Sequence, residues 1–255
     1  QWLKQFKENI ISKQPGGSIA NAVHAATTEN SICAFSCSVG DDQDKNIFFN
    51  GFNSDLTKLF YEHSEKTTGV CFIFVTPDGE RTMASNLSAN EDLLPKSLND
   101  EYLSNCDWLL FDAFSVCTKN GFKTAKHAIR IAKKHNLKIA FGLADVNLMK
   151  SNQKEIKWVI NQSIDLLFGN EIEMNLLKKS LRLEMDVLCS LGNKGSKFNE
   201  IHVPARDVSI INTNGAGDAL LGVFLSNMEN IDTKEALKKA VNYATKVCLS
   251  GGPRI

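Results

Sequence analysis

The chain has 255 residues, of which 43% are hydrophobic, so it can bury one large core or one core with a small appendage. Its 29 Lys and Arg residues are balanced by 29 Asp and Glu residues, which argues against a nucleic-acid-binding or membrane-surface protein. No apolar run has membrane-spanning length and the opening "QWLKQFKENI" is too polar for a signal peptide, so we expect a cytoplasmic protein.

Predicted strands and helices alternate along the chain. Six apolar runs of strand length occupy residues 31–39, 70–76, 108–111, 138–143, 165–169 and 186–192. Helical periodicity occurs at residues 121–136, 153–163 and 171–180. This alternation predicts an α/β fold, doubly wound, with helices on both faces of a mainly parallel sheet.

One stretch departs from the alternation. In "VCFIFVTPDGERTMA", the turn residues Pro77, Asp78 and Gly79 join two strand-like arms, which predicts a hairpin at or near a sheet edge. No linker, low-complexity tract or internal repeat divides the chain, so we expect a single domain over residues 1–255.

The first glycine-rich loop is "PGGSIANAVHAA". In an open α/β sheet, ligands bind outside the carboxyl ends of the strands, where loops lead into helices. Gly16 and Gly17 allow close approach of a ligand to the backbone, and the Asn21 amide could bind a hydroxylated ligand. The spacing alone favours the other interpretation, a glycine turn before an alanine-rich core helix with a solvated Asn.

A second candidate site lies in "LLFGNEIEMNLL". Asn170 and Glu173 stand three residues apart at a helix start, so both can point toward a common centre. A carboxylate and an amide suit the water shell of Mg²⁺, which takes few direct protein ligands. The alternative is that Asn170 caps the helix while Glu173 complements the helix dipole.

A third candidate is the loop "SLGNKGSK", which contains Ser190, Gly192 and Gly195 directly after a predicted strand. Such a loop could lie over nucleotide phosphates, with Ser190 donating a hydrogen bond. It could also be a plain hairpin turn. The spacing does not match a P-loop.

The most specific candidate is "INTNGAGDALLGVFL". Residues 214–217 offer successive backbone N–H groups at a helix start, which is an anion-binding arrangement. Asp218 adds a negative charge beside that anion site. This arrangement is costly unless the carboxylate removes a proton from an attacking hydroxyl. The alternative is that Asp218 only complements the helix dipole.

These motifs together resemble the ribokinase family of carbohydrate and nucleoside kinases. "NTNGAGDA" resembles the family's D-T-x-G-A-G-D signature, and "PGGSIANAV" resembles its G-G-x-x-x-N-x-A element. "SVGDDQDKNIF", "TTGVCFIFVTPDGERTM" and "NEIE" are similar to further family segments, in the family's order along nearly the whole chain. The resemblance implies a three-layer α/β/α sandwich with a small β lid, and an ATP-dependent and Mg²⁺-dependent kinase.

The resemblance also implies roles on the acceptor side. Asp218 matches the catalytic base, and the three residues Gly215, Ala216 and Gly217 match the anion hole. The element that contacts the phosphoryl acceptor is matched by Gly16, Gly17 and Asn21.

On the nucleotide side, the resemblance implies that Glu173 helps to hold Mg²⁺ through water. The predicted nucleotide contacts are Asn170, Glu173, Ser190, Gly192, Gly195, Thr213 and, at the adenine pocket, Asn242. Many relatives dimerise through lid strands, so a homodimer is also expected. The five histidines show no metal-ligand spacing.

Some positions depart from the family pattern. Asn212 replaces an acidic residue, so we expect K⁺ or another monovalent cation to bind less tightly here and activity to respond weakly to potassium. Lys45 or Asn46 stands where the family commonly has glycine. The family's first strand, its substrate-holding aspartate and part of its lid have no counterpart in the sequence, which we interpret as an incomplete record of a longer chain.

The motif variants favour the adenosine-kinase-like branch, although a hydroxymethyl group on a sugar ring suits both a sugar and a nucleoside acceptor. Two other classes of function remain open at this stage. One is a catalytically silent nucleotide or sugar sensor. The other is a dinucleotide-binding dehydrogenase, against which the absence of G-x-G-x-x-G after a first strand argues.

Overall fold

The computed structural model describes residues 10–76, 81–178 and 184–255. Its strands are β1 Cys33–Val39, β2 Thr57–His63, β3 Val70–Val75, β4 Arg81–Asn86, β5 Trp108–Asp112, β6 Lys138–Gly142, β7 Leu166–Asn170, β8 Asp186–Ser190, β9 Ser196–Phe198 and β10 Ile201–Val203. Its helices are α1 Ser18–Thr27, α2 Gln43–Phe49, α3 Asp100–Leu103, α4 Ala113–Val116, α5 Lys119–Lys134, α6 Val146–Ser151, α7 Gln153–Ile160, α8 Glu171–Lys178, α9 Ala216–Asn227 and α10 Thr233–Cys248.

The main sheet has six strands in the order β10-β9-β8-β7-β6-β5. Strands β5 to β8 are parallel, and β9 and β10 extend the sheet as antiparallel strands. Helices join the parallel strands, as the alternating sequence pattern predicts. The predicted α/β fold with a mainly parallel central sheet is confirmed.

The sheet separates two hydrophobic cores. On β6, Ile139 and Phe141 pack into the core that contains α5, α7 and α8, while Ala140 packs into the core that contains α9 and α10. Successive side chains of a strand point to opposite faces, so a strand buried on both sides needs a continuous apolar run. This explains why the strand predictions at 138–143 and 165–169 agree with β6 and β7 to within one residue at each end.

Local interactions stabilise both ends of α5, the longest helix of the core that contains α5, α7 and α8. Thr118 caps α5 by accepting a hydrogen bond from the Gly121 N–H, and Lys133 and Lys134 lie in the last turn, where they complement the helix dipole. The buried face of α5 is small and aliphatic, which lets it lie close to β5 and β6.

Two small sheets stand apart from the main one. Strands β1 and β2 form a parallel pair, and β3 and β4 form an antiparallel hairpin. The hairpin is therefore a sheet of its own rather than an edge of the main sheet, and the predicted turn at Pro77, Asp78 and Gly79 lies outside the described residues. Ile73 and Met83 are exposed on the hairpin. The homodimer stays a prediction.

The sequence pattern did not predict three of the described strands, β2, β9 and β10. Strands β9 and β10 have three residues each, too short to show a period.

Among the described residues, no helix combines the length and the apolar composition that crossing a bilayer requires. The seven cysteines are all free thiols, of which Cys37 is buried and Cys71 is exposed.

Candidate active site

The carboxyl ends of the parallel strands bring polar residues to one edge of the main sheet. Asp112 ends β5 opposite Gly142 of β6, and Asn170 ends β7 opposite Ser190 of β8. Loops and helix starts therefore gather along this edge. The general rule for ligand sites in open α/β sheets places a binding crevice there.

The glycine loop before α9 adopts a conformation that requires glycine. Gly215 is the residue before the first turn, with φ +76°, and a Cβ at this position would lie 2.6 Å from the Pro253 carbonyl oxygen. The first i to i−4 hydrogen bond of the helix joins the Ala219 N–H to the Gly215 carbonyl. The N–H groups of Gly217 and Asp218 therefore precede the helical ladder, as an anion site at a helix start requires.

Helix α1 packs against α9 and supplies partners for Asp218. The Ser18 hydroxyl donates to Oδ1 of Asp218 at 2.8 Å, and Nδ2 of Asn21 donates to Oδ2 at 2.9 Å. Asn21 is only 6% exposed, so the expectation of a solvated Asn is wrong. The two glycine-rich loops, 200 residues apart in sequence, thus lie together around one carboxylate.

Burial and hydrogen bonding oppose each other at this carboxylate. Burial raises the pKa of Asp218 above its ordinary value, while the hydrogen bonds from Asn21 and Ser18 and the charge of Arg254 lower it. The residue keeps part of its surface accessible. A partly desolvated carboxylate that an incoming group can still reach is suited to accept a proton.

A second carboxylate, which the sequence reading did not identify, lies close to the first. Asp112 is 3% exposed, and its Oδ1 accepts hydrogen bonds from the N–H (3.0 Å) and the hydroxyl (3.1 Å) of Ser115 at the start of α4. Burial raises the pKa of Asp112 from 3.8 to about 6, and the charge of Asp218 adds to the rise while Ser115 and Ser18 oppose it. The sequence feature that could have identified Asp112 is its position at the carboxyl end of the run "WLLFD".

Burying Asp112 should make the protein less stable as the pH rises. Between about pH 4 and pH 6 the folded chain retains a proton that the unfolded chain has released, so the free energy of unfolding falls across this range. The variant Asp112→Asn keeps the helix cap without a charge. We expect it to be more stable than the natural chain at about pH 8, by up to ~3 kcal/mol, and equally stable at about pH 4.

Urea unfolding at both pH values measures this difference. The matched control is Asp107→Asn, an exposed aspartate just before the same strand, which should change stability little at either pH. A stability loss for Asp112→Asn at about pH 8 would contradict the assignment.

Asn170 and Glu173 bind each other at the start of α8. Oδ1 of Asn170 accepts from the Ile172 and Glu173 N–H groups, and the Glu173 carboxylate accepts from the N–H (2.9 Å) and Nδ2 (2.8 Å) of Asn170. The structure therefore shows the helix cap, and this arrangement leaves lone pairs free on both carboxylate oxygens of Glu173. Burial raises the pKa of Glu173, and the nearby charge of Asp145 adds to the rise.

The donor set at this position fits a hard cation held through water. Glu173, Asn170 and Asp145 offer oxygen atoms, which Mg²⁺ prefers, and Asp145 is charged like Glu173 and near enough to shift its pKa. Within the described part of the chain, no group of three or more His, Cys, Asp or Glu side chains is placed to hold a metal ion directly.

The loop "SLGNKGSK" forms the turn of a hairpin between β8 and β9. Ser190 pairs with Ser196 across the hairpin, and the Leu191 N–H donates to the Gly195 carbonyl. Gly192 begins a short 3₁₀ turn at the same end. The hairpin alternative is therefore present, and the turn lies at the sheet edge next to Asn170.

The residues before the glycine loop are tied to the end of α10. The Asn212 N–H donates to the Cys248 carbonyl at 3.1 Å, and Nδ2 of Asn212 donates to the Gly251 carbonyl at 3.2 Å. Oδ1 of Asn212 accepts from the Asn214 N–H. Since an aspartate side chain has no N–H to donate, the side chain of Asn212 makes a contact with the Gly251 carbonyl that an acidic residue could not make. Thr213 is exposed, and its carbonyl accepts from the Ala216 N–H.

Asn242 lies on α10 and lines an open cavity of about 290 Å³. The other lining residues are Thr245 and Lys246 of α10, Leu249 just after it, and Arg206 and Val208. The predicted adenine-pocket residue therefore faces a cavity rather than the core.

The structure brings the predicted residues into two groups. Gly17, Asn21 and Asp218 meet where α1 and α9 start, and Asn170 and Ser190 are neighbours on the sheet edge. Asn242 belongs to the separate cavity beside α10. Besides Asp112, the sequence reading missed Ser18 and Arg254, and no local pattern marks either one.

Comparisons with known proteins agree with this architecture. A family described as pfkB family carbohydrate kinase matches residues 4–255. Deoxyribokinase of Salmonella typhimurium is 26% identical over 254 residues, covering 90% of this chain and 79% of that protein. Fructokinase of Solanum tuberosum is 25% identical over 258 residues, covering 91% of this chain and 78% of its own length.

Solved structures show the same fold at lower identity. Adenosine kinase from Sinorhizobium meliloti superposes with a TM-score of 0.86 at 24% identity, covering 94% of this chain and 79% of its own. A ribokinase II type protein from E. coli, solved with ATP and Mg²⁺, has a TM-score of 0.85 at 20% identity, covering 95% of this chain and 85% of its own. Because the family match extends over nearly all of the sequence, this chain belongs to the pfkB family of carbohydrate kinases and is a kinase.

Proposed function

We propose that this kinase transfers the γ-phosphoryl group of ATP to a hydroxymethyl hydroxyl of a sugar or nucleoside, with Asp218 as the general base. The observation that supports this most directly is the Asp218 carboxylate. It lies in the first turn of α9, is held by Ser18 and Asn21, and adjoins N–H groups that precede the helical ladder.

The base accepts the hydroxyl proton as the oxygen attacks. Each oxygen of Asp218 receives one hydrogen bond from α1, which fixes the orientation of the carboxylate and leaves a lone pair on each oxygen for the acceptor hydroxyl. The N–H groups of Gly217 and Asp218 face the position of the transferred group, where they stabilise the charge that develops on it. We assign to Gly16 and Gly17 a contact between their backbone and the acceptor.

On the nucleotide side, we propose that Asn170 and Glu173 hold Mg²⁺ through its water shell. Ser190, Gly192, Gly195 and Thr213 would contact the phosphates, and Asn242 would contact the base in its cavity. When bound, Mg²⁺–ATP supplies the phosphoryl group and neutralises part of its charge. An E. coli protein of the same fold, solved with ATP and Mg²⁺, supports the use of ATP and Mg²⁺.

We expect the activity to respond only weakly to potassium. Asn212 is neutral, and its side-chain amide donates to the Gly251 carbonyl, so this loop offers a cation less charge and a carbonyl oxygen that already accepts a hydrogen bond. Turnover measured in sodium and in potassium chloride at equal ionic strength should therefore agree within about threefold, with sodium chloride titrations as the control for general salt effects. A steep potassium requirement would contradict the expectation.

The acceptor is best identified with a panel of candidates. We would measure ADP release, coupled to an NADH-consuming reaction, with adenosine, inosine, ribose, 2-deoxyribose, fructose, fructose phosphates and 2-keto-3-deoxygluconate. Relatives include a deoxyribokinase and a fructokinase, and the fold is shared with an adenosine kinase, so both acceptor classes belong in the panel. Binding of nucleotide without turnover of any acceptor would refute the proposal and favour the sensor alternative.

A further inference from the structure

Arg254 joins three separate segments of the chain. It follows α10, and its Nε donates to Oδ1 of Asn21 at 2.9 Å. Nη2 donates to the Gly16 carbonyl at 2.9 Å and Nη1 to the Gly51 carbonyl at 2.6 Å. The guanidinium also lies 5.2 Å from the centre of the Phe52 ring. A fork of five donors can make such a set of contacts, whereas a single ammonium cannot.

The contact with Asn21 decides which way its amide points. A guanidinium only donates hydrogen bonds, so the carbonyl oxygen of the Asn21 amide must face it. The NH₂ group is then left to donate to Oδ2 of Asp218 at 2.9 Å. In the flipped amide, the oxygen would face a carboxylate and the NH₂ group would face a cation. Because Asn21 is buried, water could not relieve that mismatch.

Several charged and titratable groups surround Asp218. Arg254 approaches through Asn21, and its positive charge lowers the pKa of Asp218 against the effect of burial. Asp112 approaches from the end of β5, with the Ser18 hydroxyl nearby. His24 of α1 shares the Gly51 carbonyl with Arg254, and its Nε2 lies 2.9 Å from the Ile255 carbonyl oxygen. Burial lowers the pKa of Arg254 to about 10, so it stays cationic at neutral pH.

We propose that Arg254 is a positioning residue for Asp218, whose carboxylate it orients by fixing the Asn21 amide. The inference rests on the proposed function, because that function assigns Asp218 as the base. Arg254 itself does not contact the reacting atoms in this role. It acts through a side chain on another helix.

The first test compares Arg254→Met with Arg254→Lys. Methionine keeps the length without charge or donors. We expect kcat to fall ~10²-fold, as for a misplaced catalytic group, and the acidic limb of the kcat/KM profile to move to higher pH by roughly one unit. Lysine restores the charge but not the planar set of guanidinium donors, so we expect Arg254→Lys to restore the acidic limb while kcat stays reduced. Circular dichroism and thermal unfolding verify that both variants fold.

Two further comparisons separate this role from simple stabilisation of the fold. The control His24→Gln removes the ring contacts with the Gly51 and Ile255 carbonyls and should leave both kcat and the acidic limb unchanged. At a pH above the acidic limb, where Asp218 is ionised in every variant, a double variant, Asn21→Ala with Arg254→Met, should be no slower than Asn21→Ala alone, because Arg254 orients Asp218 through Asn21. Additive losses in the double variant would contradict this route.

A measurement without turnover keeps this inference distinct from the proposed function. Titration of the Asp218 carboxyl carbon by NMR reads its ionisation whether or not an acceptor has been found. We expect a higher midpoint in Arg254→Met than in the natural chain. An unchanged midpoint in a folded variant would overturn the inference, whereas failure of the acceptor panel would overturn only the proposed function.

Discussion

Replacing Asp218 with asparagine is expected to slow phosphoryl transfer by ~10²-fold to 10⁴-fold while the fold and nucleotide binding are retained. Asparagine has nearly the same size and keeps an oxygen for the Ser18 hydroxyl, but it cannot accept the proton of the attacking hydroxyl. Steady-state turnover measures the loss, isothermal titration calorimetry measures nucleotide affinity, and circular dichroism measures the fold.

The matched control is Asp107→Asn, the same chemical change at an exposed position just before β5, at the opposite end of that strand from Asp112. It should leave turnover and nucleotide affinity unchanged. Near-normal turnover of Asp218→Asn would remove Asp218 from the role of base. A loss of nucleotide affinity equal to the loss of turnover would instead place Asp218 in ATP binding.

Gly222→Ala is expected to destabilise the protein although it lies inside a helix. Alanine usually stabilises a helix relative to glycine by up to ~1 kcal/mol. Here a Cβ would overlap the carbonyl oxygen of Ala22, where α9 crosses α1. The overlap should cost ~1–3 kcal/mol, which thermal or urea unfolding measures.

The same substitution should also reduce activity, because the two helices share the site. Ser18 and Asn21 lie on α1, whereas Asp218 lies on α9. A shift of about 1 Å between the helices would misplace the base and lower turnover by ~10²-fold. The control is Gly251→Ala, where an added Cβ meets nothing within 4 Å, and where we expect neither effect. Full stability of Gly222→Ala would show that the helices are not held at this contact.

Much of the fold could be predicted from periodicity. The runs at 138–143 and 165–169 are continuously apolar because β6 and β7 have a core on each face. The helix predicted at 121–136 corresponds to α5, Lys119–Lys134, whose amphipathic pattern reflects its single buried face. The short strands β9 and β10 could not be predicted, because three residues pair only where the long strand β8 provides an edge.

The surroundings of Asp218 were predicted only in part. Gly17, Asn21 and Asp218 were identified because glycine and a polar residue at a helix start have a local chemical meaning. Asn21 was nevertheless expected to be solvated on spacing alone, and it is buried. Its burial depends on contacts with α9 and with Arg254, which are 197 and 233 residues away in sequence.

The alternation of strands and helices, the glycine loop before α9 and the carboxylate in its first turn could be predicted, because each depends on residues that are neighbours in the chain. The grouping of Ser18, Asp112 and Arg254 around Asp218 became visible only in the folded chain. Their side chains become a site through the packing of α1 on α9 and the crossing of the segment after α10. Such contacts between distant residues depend on how the cores fill space, and no local pattern records them.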